Sequence, residues 1–408
     1  MRVPMTTTRN IVAGGVPPQL YLGTMTFGWE QQTSSVVDTN VAKQMIQSFI
    51  QADKNASSSN HNHHVDTAYI YAGGKTEKIL GQIFQEEQKQ QGLLFGGGED
   101  NNKISIGIKA HPSFPTYGLS RLGIQKQYRE SLERMNLSNT QSNSFVVDEL
   151  YLHQPDPQHS LLESLQTLNE MVVQGKIQRI GMSNYHVDEM KRAFELCEIY
   201  GLTPPSVYQG LYNPLNRLVE QELLPLLESH SCSFVAYNPL AAGMLTGKYL
   251  KINQQDNESD VPQGRFQNNP NYLPRFYTPS NFEALEVIQQ VCDAEDITMV
   301  QATYRWMMNH SQLNGEKNDG ILIGASSMSQ LNENMNSCTE AMIGDGDEGT
   351  TSIALSKDML DAFDKAWDIV NSEESDSNAF PYWRSYSLDM PNRDNLDEGA
   401  SYNAAKTK

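Results

Sequence analysis

Four residues of this chain, Asp66, Tyr71, Lys109 and His153, are of types that together can protonate an oxygen. An unperturbed tyrosine hydroxyl titrates near pH ~10. An ammonium beside it favours the phenolate and brings that value down towards neutrality. Tyr71 can then give its proton to an oxygen that is gaining negative charge. In that arrangement Lys109 tunes the phenol, Asp66 fixes the lysine, and His153 hydrogen-bonds the same oxygen. Taken singly these are ordinary groups: an aspartate at a strand end usually caps a loop, a lysine is usually solvated, and a histidine is more often packing than catalyst. Their placement is what carries the reading. Asp66, Lys109 and His153 each fall at the end of an expected strand, and Tyr71 follows Asp66 by five residues.

Bringing such groups together requires neighbouring parallel strands. Strands are predicted at residues 20–25, 64–68, 104–109, 149–153, 177–182, 206–209, 233–237 and 320–324, where short β-branched runs occur. Amphipathic helices are predicted between them at 40–53, 75–88, 120–135, 160–175, 186–200, 219–230 and 281–295. Within 160–175, Leu161, Leu162, Leu165, Leu168, Met171 and Val172 recur at three- and four-residue spacing, and Gly175 stands where a left-handed cap is wanted. Eight strands alternating with helices predict an α/β fold, a closed (β/α)8 TIM barrel with long loops on the C-terminal face of its strands, where functional groups collect. A doubly wound open sheet would normally carry G-x-G-x-x-G after its first strand. Thr26, Phe27, Gly28 and Trp29 stand there instead.

The chain has 408 residues and a formal net charge of −19. A field of that sign repels phosphate backbones and anionic lipid, so neither nucleic acid nor a polybasic membrane attachment is expected. From Cys338 onward there are 15 acidic and 6 basic residues, which makes much of the excess a property of the C-terminal end. Cys197, Cys232, Cys292 and Cys338 are far apart with no C-x-x-C spacing, so free thiols in a reducing compartment are expected. Residues 1–10 have no apolar segment of the signal-peptide type, and no window approaches the ~18 apolar residues of a membrane span. A soluble, cytoplasmic protein is the expectation. Residues 1–390 are read as one barrel domain with polar insertions near 55–64, 95–103, 253–262 and 344–352, followed by a flexible polar tail, 391–408.

Several motifs, in order, make the chain resemble the aldo-keto reductase superfamily. They are Asp66-Thr67-Ala68 with Tyr71, Gly74 to Glu77, Leu80-Gly81, Lys109, Tyr151-Leu152-His153 with Pro155 and Asp156, Gly181 to Tyr185, and Gly324-Ala325-Ser326-Ser327 with Gln330 and Asn334. Tyr208 to Asn213, Asn238 to Tyr249, Gly264-Arg265-Phe266 and Tyr304 to Leu313 make it similar to the aflatoxin-aldehyde and succinic-semialdehyde reductase branch. The resemblance implies NADPH (or NADP+) bound without a Rossmann motif and reduction of dicarbonyl or semialdehyde substrates to alcohols, in detoxification or semialdehyde metabolism. It gives Tyr71 the role of general acid, Lys109 and Asp66 that of its tuners, and His153 that of carbonyl-orienting donor.

By the same resemblance Ser183, Asn184 and Gln209 bind the nicotinamide carboxamide and Tyr237 stacks on its ring. Asn238, Leu240, Gly243, Lys248 and Arg265 line the pyrophosphate. The motif opening at Gly324 holds the adenosine 2′-phosphate and adenine through Ser326, Ser327, Gln330 and Asn334. Arg275 and Arg384 would receive a substrate carboxylate, for which a guanidinium fork is suited. Two departures stand out. Where several superfamily members place a lysine or arginine for the 2′-phosphate, this chain has Met328 and Ser329. His61, His63 and His64 lie together, but without Cys or acidic ligands at fixed spacing no metal is expected. The branch's frequent dimers imply a homodimer. A reading of another class is a cofactor-bound regulatory protein like the potassium-channel β-subunits, which resemble the same branch. An aldose-type reductase would lack the Tyr382-Trp383-Arg384 ending.

Overall fold

A computed structural model describes residues 16–29, 33, 35–56, 62–89, 104–113, 117–138, 145–156, 158–253, 266, 272–342, 354–372 and 380–383. Eight parallel strands close into a barrel in sequential order. They are β1 (Gln19–Gly23), β2 (His63–Asp66), β3 (Ile104–Ala110), β4 (Phe145–Leu152), β5 (Arg179–Ser183), β6 (Val207–Leu211), β7 (Ser233–Tyr237) and β8 (Gly320–Gly324). Pairing of β1 with β8, Gly23 opposite Gly324, completes the ring. All eight expected strands are present, so the molecule is a (β/α)8 TIM barrel. The main boundary difference is β4, which begins at Phe145 and not at 149.

The helices α1 (Thr39–Ala56), α2 (Lys75–Lys89), α3 (Arg121–Arg134), α4 (Leu161–Val173), α5 (Val187–Tyr200) and α6 (Leu223–Ser229) follow β1 to β6 in alternation, α2 through a 3-10 turn, Tyr71–Gly74. After β7 come α7 (Lys248–Asn253), α8 (Leu273–Phe276), α9 (Pro279–Glu295) and α10 (Met299–Asn309); α11 (Met328–Met342) and α12 (Lys357–Val370) follow β8. Helices α7, α8, α10 and α12 are additions to the sequence reading. The apolar spacing of α12, with Met359, Ala362, Phe363, Ala366, Trp367 and Val370 buried, was hidden there by the acidity of the C-terminal end. Gly175 takes φ +67 and, with Lys176, returns hydrogen bonds to Val172 and Met171, the glycine cap expected after α4.

The expected insertion at 55–64 is narrower in the structure. Asn55 and Ala56 prolong α1, while His63 and His64 already belong to β2. Residues 95–103, 254–262, 344–352 and the tail 391–408 lie outside the described residues, as do 57–61. His63 is buried with its Nδ1 2.6 Å from Asp53 Oδ2, which ties the start of β2 to α1. Among the described residues no helix is long and apolar enough to cross a membrane.

The core lies between the barrel and its helices, while a smaller apolar set, Tyr21, Tyr151, Val207, Val235 and Leu322, sits apart from it. Gly81 shows how closely the outer layer is packed. A Cβ there would lie 2.2 Å from the Arg134 carbonyl oxygen at the end of α3, and Asn136 Nδ2 donates to the Gly81 carbonyl at 2.9 Å. Gly81→Ala is therefore expected to lower stability by about 1–3 kcal/mol, although alanine favours helix by about 1 kcal/mol. A urea midpoint at or above that of the parent protein would show that the backbones can part.

Candidate active site

Strand order delivers the first three groups. Asp66 ends β2, Lys109 is the penultimate residue of β3, and His153 follows β4 with its N–H on the Ala110 carbonyl at 2.9 Å. Lys109 is 1% exposed, and its Nζ lies 2.6 Å from each Asp66 oxygen and 3.0 Å from the Thr67 carbonyl oxygen. Burial pulls this ammonium below its ordinary value, and the Asp66 carboxylate pushes it back up. The 3-10 turn, in which Ala72 takes φ +46, places the Tyr71 hydroxyl 3.4 Å from Lys109 Nζ. The ring of Tyr71 stands edge-on to that of His153, centroids 6.1 Å apart. The four residues expected to act together therefore converge.

Gln209 has a partner within the site as well. Its Nε2 donates to Asp66 Oδ1 at 2.8 Å, so this amide braces the carboxylate from β6 across the barrel. Asn184 takes φ +63, and its Nδ2 donates to the His153 carbonyl at 2.8 Å and to Ser183 Oγ at 3.0 Å. The Tyr237 hydroxyl donates to Asn184 Oδ1 at 2.8 Å. These bonds set the loop after β5 and the ring at the end of β7 as one unit.

A cleft of about 540 Å³ runs from this group along the C-terminal ends of the strands. Asp66, Tyr71, His153, Ser183, Asn184, Gln209 and Tyr237 line one part of it. Asn238, Leu240, Gly243 and Lys248 line another, in a segment where Asn238, Ala241, Ala242, Gly243 and Gly247 all have positive φ. Successive peptides of that kind can turn their N–H groups towards an anion. Gly324, Ser326, Gln330 and Asn334 line the far end. A Cβ at Gly324 would meet nothing within 4 Å. Ser326 donates to Gln330 Oε1 at 2.9 Å from both its N–H and its hydroxyl, and Asn334 Nδ2 donates to the Gly324 carbonyl at 3.2 Å. Ser327 is not in the cleft wall; its Oγ accepts from the Gln330 N–H at 3.3 Å at the start of α11.

Arg275, on α8, also lines the cleft. It is 9% exposed, its Cζ lies 4.2 Å above the Phe380 ring, and its Nε and Nη2 have no hydrogen-bond partner among the described residues. Buried guanidinium donors without an acceptor carry an unmet desolvation cost. Arg265 and Arg384 lie outside the described residues.

The cleft also contains groups that sequence reasoning missed. His111 is buried with its Nδ1 accepting from the Ser113 N–H at 3.0 Å, and its ring is edge-on to His153 at 5.2 Å. The signal lies in the spacing, because His111 stands two residues after Lys109, just past β3, and residues two apart in extended chain share a face. Trp29, Tyr272 and Glu333 come from loops or a helix whose approach to the cleft only closure of the chain decides.

A model of the Aldo/keto reductase family matches residues 19–345. Aflatoxin B1 aldehyde reductase member 2 of Rattus norvegicus is 32% identical over 372 residues, covering 90% of this chain and 89% of the relative. Aldo-keto reductase family 7 member A3 of Homo sapiens is 34% identical over 316 residues, covering 76% and 86%. Aflatoxin B1 aldehyde reductase member 2 of Homo sapiens is 34% identical over the same length, covering 76% and 79%.

Proposed function

The chain belongs to the aldo/keto reductase family, and on that premise we propose that it is an NADPH-dependent reductase of aldehydes, with a preference for those carrying a carboxylate. The observation that carries the reaction is the Tyr71 hydroxyl 3.4 Å from a Lys109 ammonium that is itself locked on Asp66. Tyr71 is the proton donor to the substrate oxygen. His153 is the second donor to that oxygen, so charge developing there meets two preset groups. Lys109 favours the phenolate left behind, and Asp66 and Gln209 keep Lys109 in register.

The donors in the cleft fit a nicotinamide dinucleotide. Ser183 and Asn184 would hold the carboxamide, Tyr237 would face the ring, and Asn238, Leu240, Gly243 and Lys248 would hold the pyrophosphate. Gly324, Ser326, Gln330 and Asn334 would hold the adenosine end, where the bare Cβ position of Gly324 leaves room for it. When bound, the reduced nicotinamide supplies the hydride. The preference for an acid follows from Arg275, whose unpartnered donors suit a carboxylate. The four cysteines are buried free thiols, which suits a reducing, cytoplasmic setting. We extend to this chain the homodimer that the branch implies; light scattering tests it.

The deciding experiment is a panel of aldehydes assayed with NADPH and with NADH. Oxidation of NADPH by succinic semialdehyde or another acidic aldehyde, faster than by neutral aldehydes of similar size, is expected. Tight NADPH binding without turnover of any aldehyde would favour the regulatory reading over the enzymatic one.

A further inference from the structure

Beneath the Lys109–Asp66 pair lies a second buried ionic group that the chemistry above leaves unused. The ladder between β3 and β4 shifts register between Ile106 and Gly107, so that Val147 and Glu149 take successive partners and Asp148 is the extra residue. Glu149 is 1% exposed. Its Oε2 accepts from the Tyr151 hydroxyl at 3.0 Å, and its Oε1 accepts from the Tyr21 hydroxyl at 3.5 Å and from the Arg179 guanidinium. Arg179 also donates to Asp148 at 2.8 Å. Burial first, then the charge of Glu149, raises both phenols above the ordinary tyrosine value, so they remain neutral donors.

Two contacts connect this group to the lysine. Lys109 Nζ lies 5.6 Å from the centroid of the Tyr151 ring, whose hydroxyl rests on Glu149. Gly107 supplies the other: a Cβ there would meet Glu149 Oε2 at 2.7 Å and Asp66 Oδ1 at 3.7 Å, so the two carboxylates flank one notch with no side chain in it. A Cβ at Gly181 would lie 2.3 Å from the Tyr151 ring, which shows how closely that ring is confined.

We propose that Glu149 is a positioning residue for the reaction: from the barrel interior beneath Asp66 its carboxylate helps to hold the positive charge on Lys109, with Tyr151 between them and Arg179 as the balancing cation. The inference rests on the assignment of Tyr71 as acid and Lys109 as its tuner. Lys109 is faced by Asp66 from β2, Tyr71 from the 3-10 turn, Glu77 from α2, and Tyr151 and Glu149 from β4. Glu77 is matched by Arg134 at 2.6 Å. Glu149 is faced by Tyr21 from β1, His64 and Asp66 from β2, Lys109 from β3, and Arg179 from β5, besides Asp148 and Tyr151 on its own strand. His64, Asp148 and Glu149 bring ligand atoms within 4.8 Å of one another, but Arg179 already supplies the cation to both carboxylates. Burial pushes the Glu149 carboxyl up to about 7 against the opposing pull of Arg179. It is therefore ionised at the alkaline pH where loss of the Lys109 or Tyr71 proton is read.

The sign follows from charge. Removing a negative neighbour lowers the proton affinity of both the ammonium and the phenol, whichever of the coupled pair governs the alkaline limb. Glu149→Gln is thus expected to move the alkaline limb of kcat, relative to its own plateau, down by about one pH unit. The double variant Glu149→Gln/Arg179→Met, which removes the pair with no change of net charge, should return it close to the parent position. Circular dichroism and the unfolding midpoint are recorded for each. A limb that stays in place in Glu149→Gln while the midpoint falls would reduce Glu149 to a structural role and overturn the inference. If Glu149→Gln does not fold, Glu149→Asp decides, since it keeps the charge beside Arg179 but draws it back by one methylene: a limb moved down supports the inference, no shift overturns it. Activity retained in Tyr71→Phe would instead sink the assignment of the acid, so the two failures are distinguishable.

Discussion

Tyr71→Phe is expected to lower kcat for aldehyde reduction by about 10³-fold, the usual contribution of a placed general acid. The variant removes one oxygen atom and leaves the ring, so its contact with His153 and the course of the 3-10 turn are retained. The hydroxyl that is lost lies against Lys109 and not among the residues proposed to hold the dinucleotide. Cofactor affinity, followed by quenching of protein fluorescence on NADPH titration, should therefore change by less than about threefold, as a loss confined to the transition state requires. Turnover at the parental rate with intact binding would remove Tyr71 as the acid. A fall in NADPH affinity matching the fall in kcat would point to collapse of the cleft.

Arg275→Met is expected to divide substrates by charge. For an aldehyde carrying a carboxylate, kcat/KM should fall by about 10²-fold, since truncating one member of a buried charge pair costs about 2–5 kcal/mol. A neutral aldehyde of similar size should change by no more than about threefold. Arg275→Lys should recover only part of the loss, because an ammonium keeps the charge without the planar fork. Stability gives an independent readout. In the free protein Arg275 Nε and Nη2 are buried without a hydrogen-bond partner among the described residues, so replacing the guanidinium by an apolar chain should leave the unfolding midpoint unchanged or higher. Parallel losses for charged and neutral aldehydes would take Arg275 out of substrate recognition.

The formal charge of −19 takes on a different meaning beside this cleft. Net charge describes the exterior and says little about a concave site, where single groups decide the local field. The cleft wall carries Lys248 and Arg275, and Lys109 nearby is already matched by Asp66. An anionic dinucleotide and an acidic substrate can be admitted by a strongly acidic protein on those few cations.

Much of the architecture was legible because it is local. Apolar runs of strand length alternating with three- and four-residue helical spacing require parallel strands with crossover helices, and a cap such as Gly175 depends on the few residues around it. Asp66, Lys109 and His153 were legible for the same reason: each stands at or beside the end of its own strand, and consecutive strands of a barrel are neighbours. What lay beyond the sequence depends on contacts across the ring. Gln209 turns to Asp66 because β6 faces β2 through the barrel interior, a relation that no spacing along the chain encodes. Nε and Nη2 of Arg275 lack an acceptor among the described residues, where α8 and Phe380 enclose the guanidinium. Glu149 lies near the notch beneath Asp66 because one extra residue, Asp148, changes the register of β4. By itself the sequence determined the eight strands, the main helices between them, their order and the polar residues near the strand ends, since these follow from short-range sterics and hydrophobic periodicity. Only the tertiary structure decided which polar groups satisfy one another and which remain for a ligand, because that depends on closing the barrel and on the low-dielectric interior that closure creates.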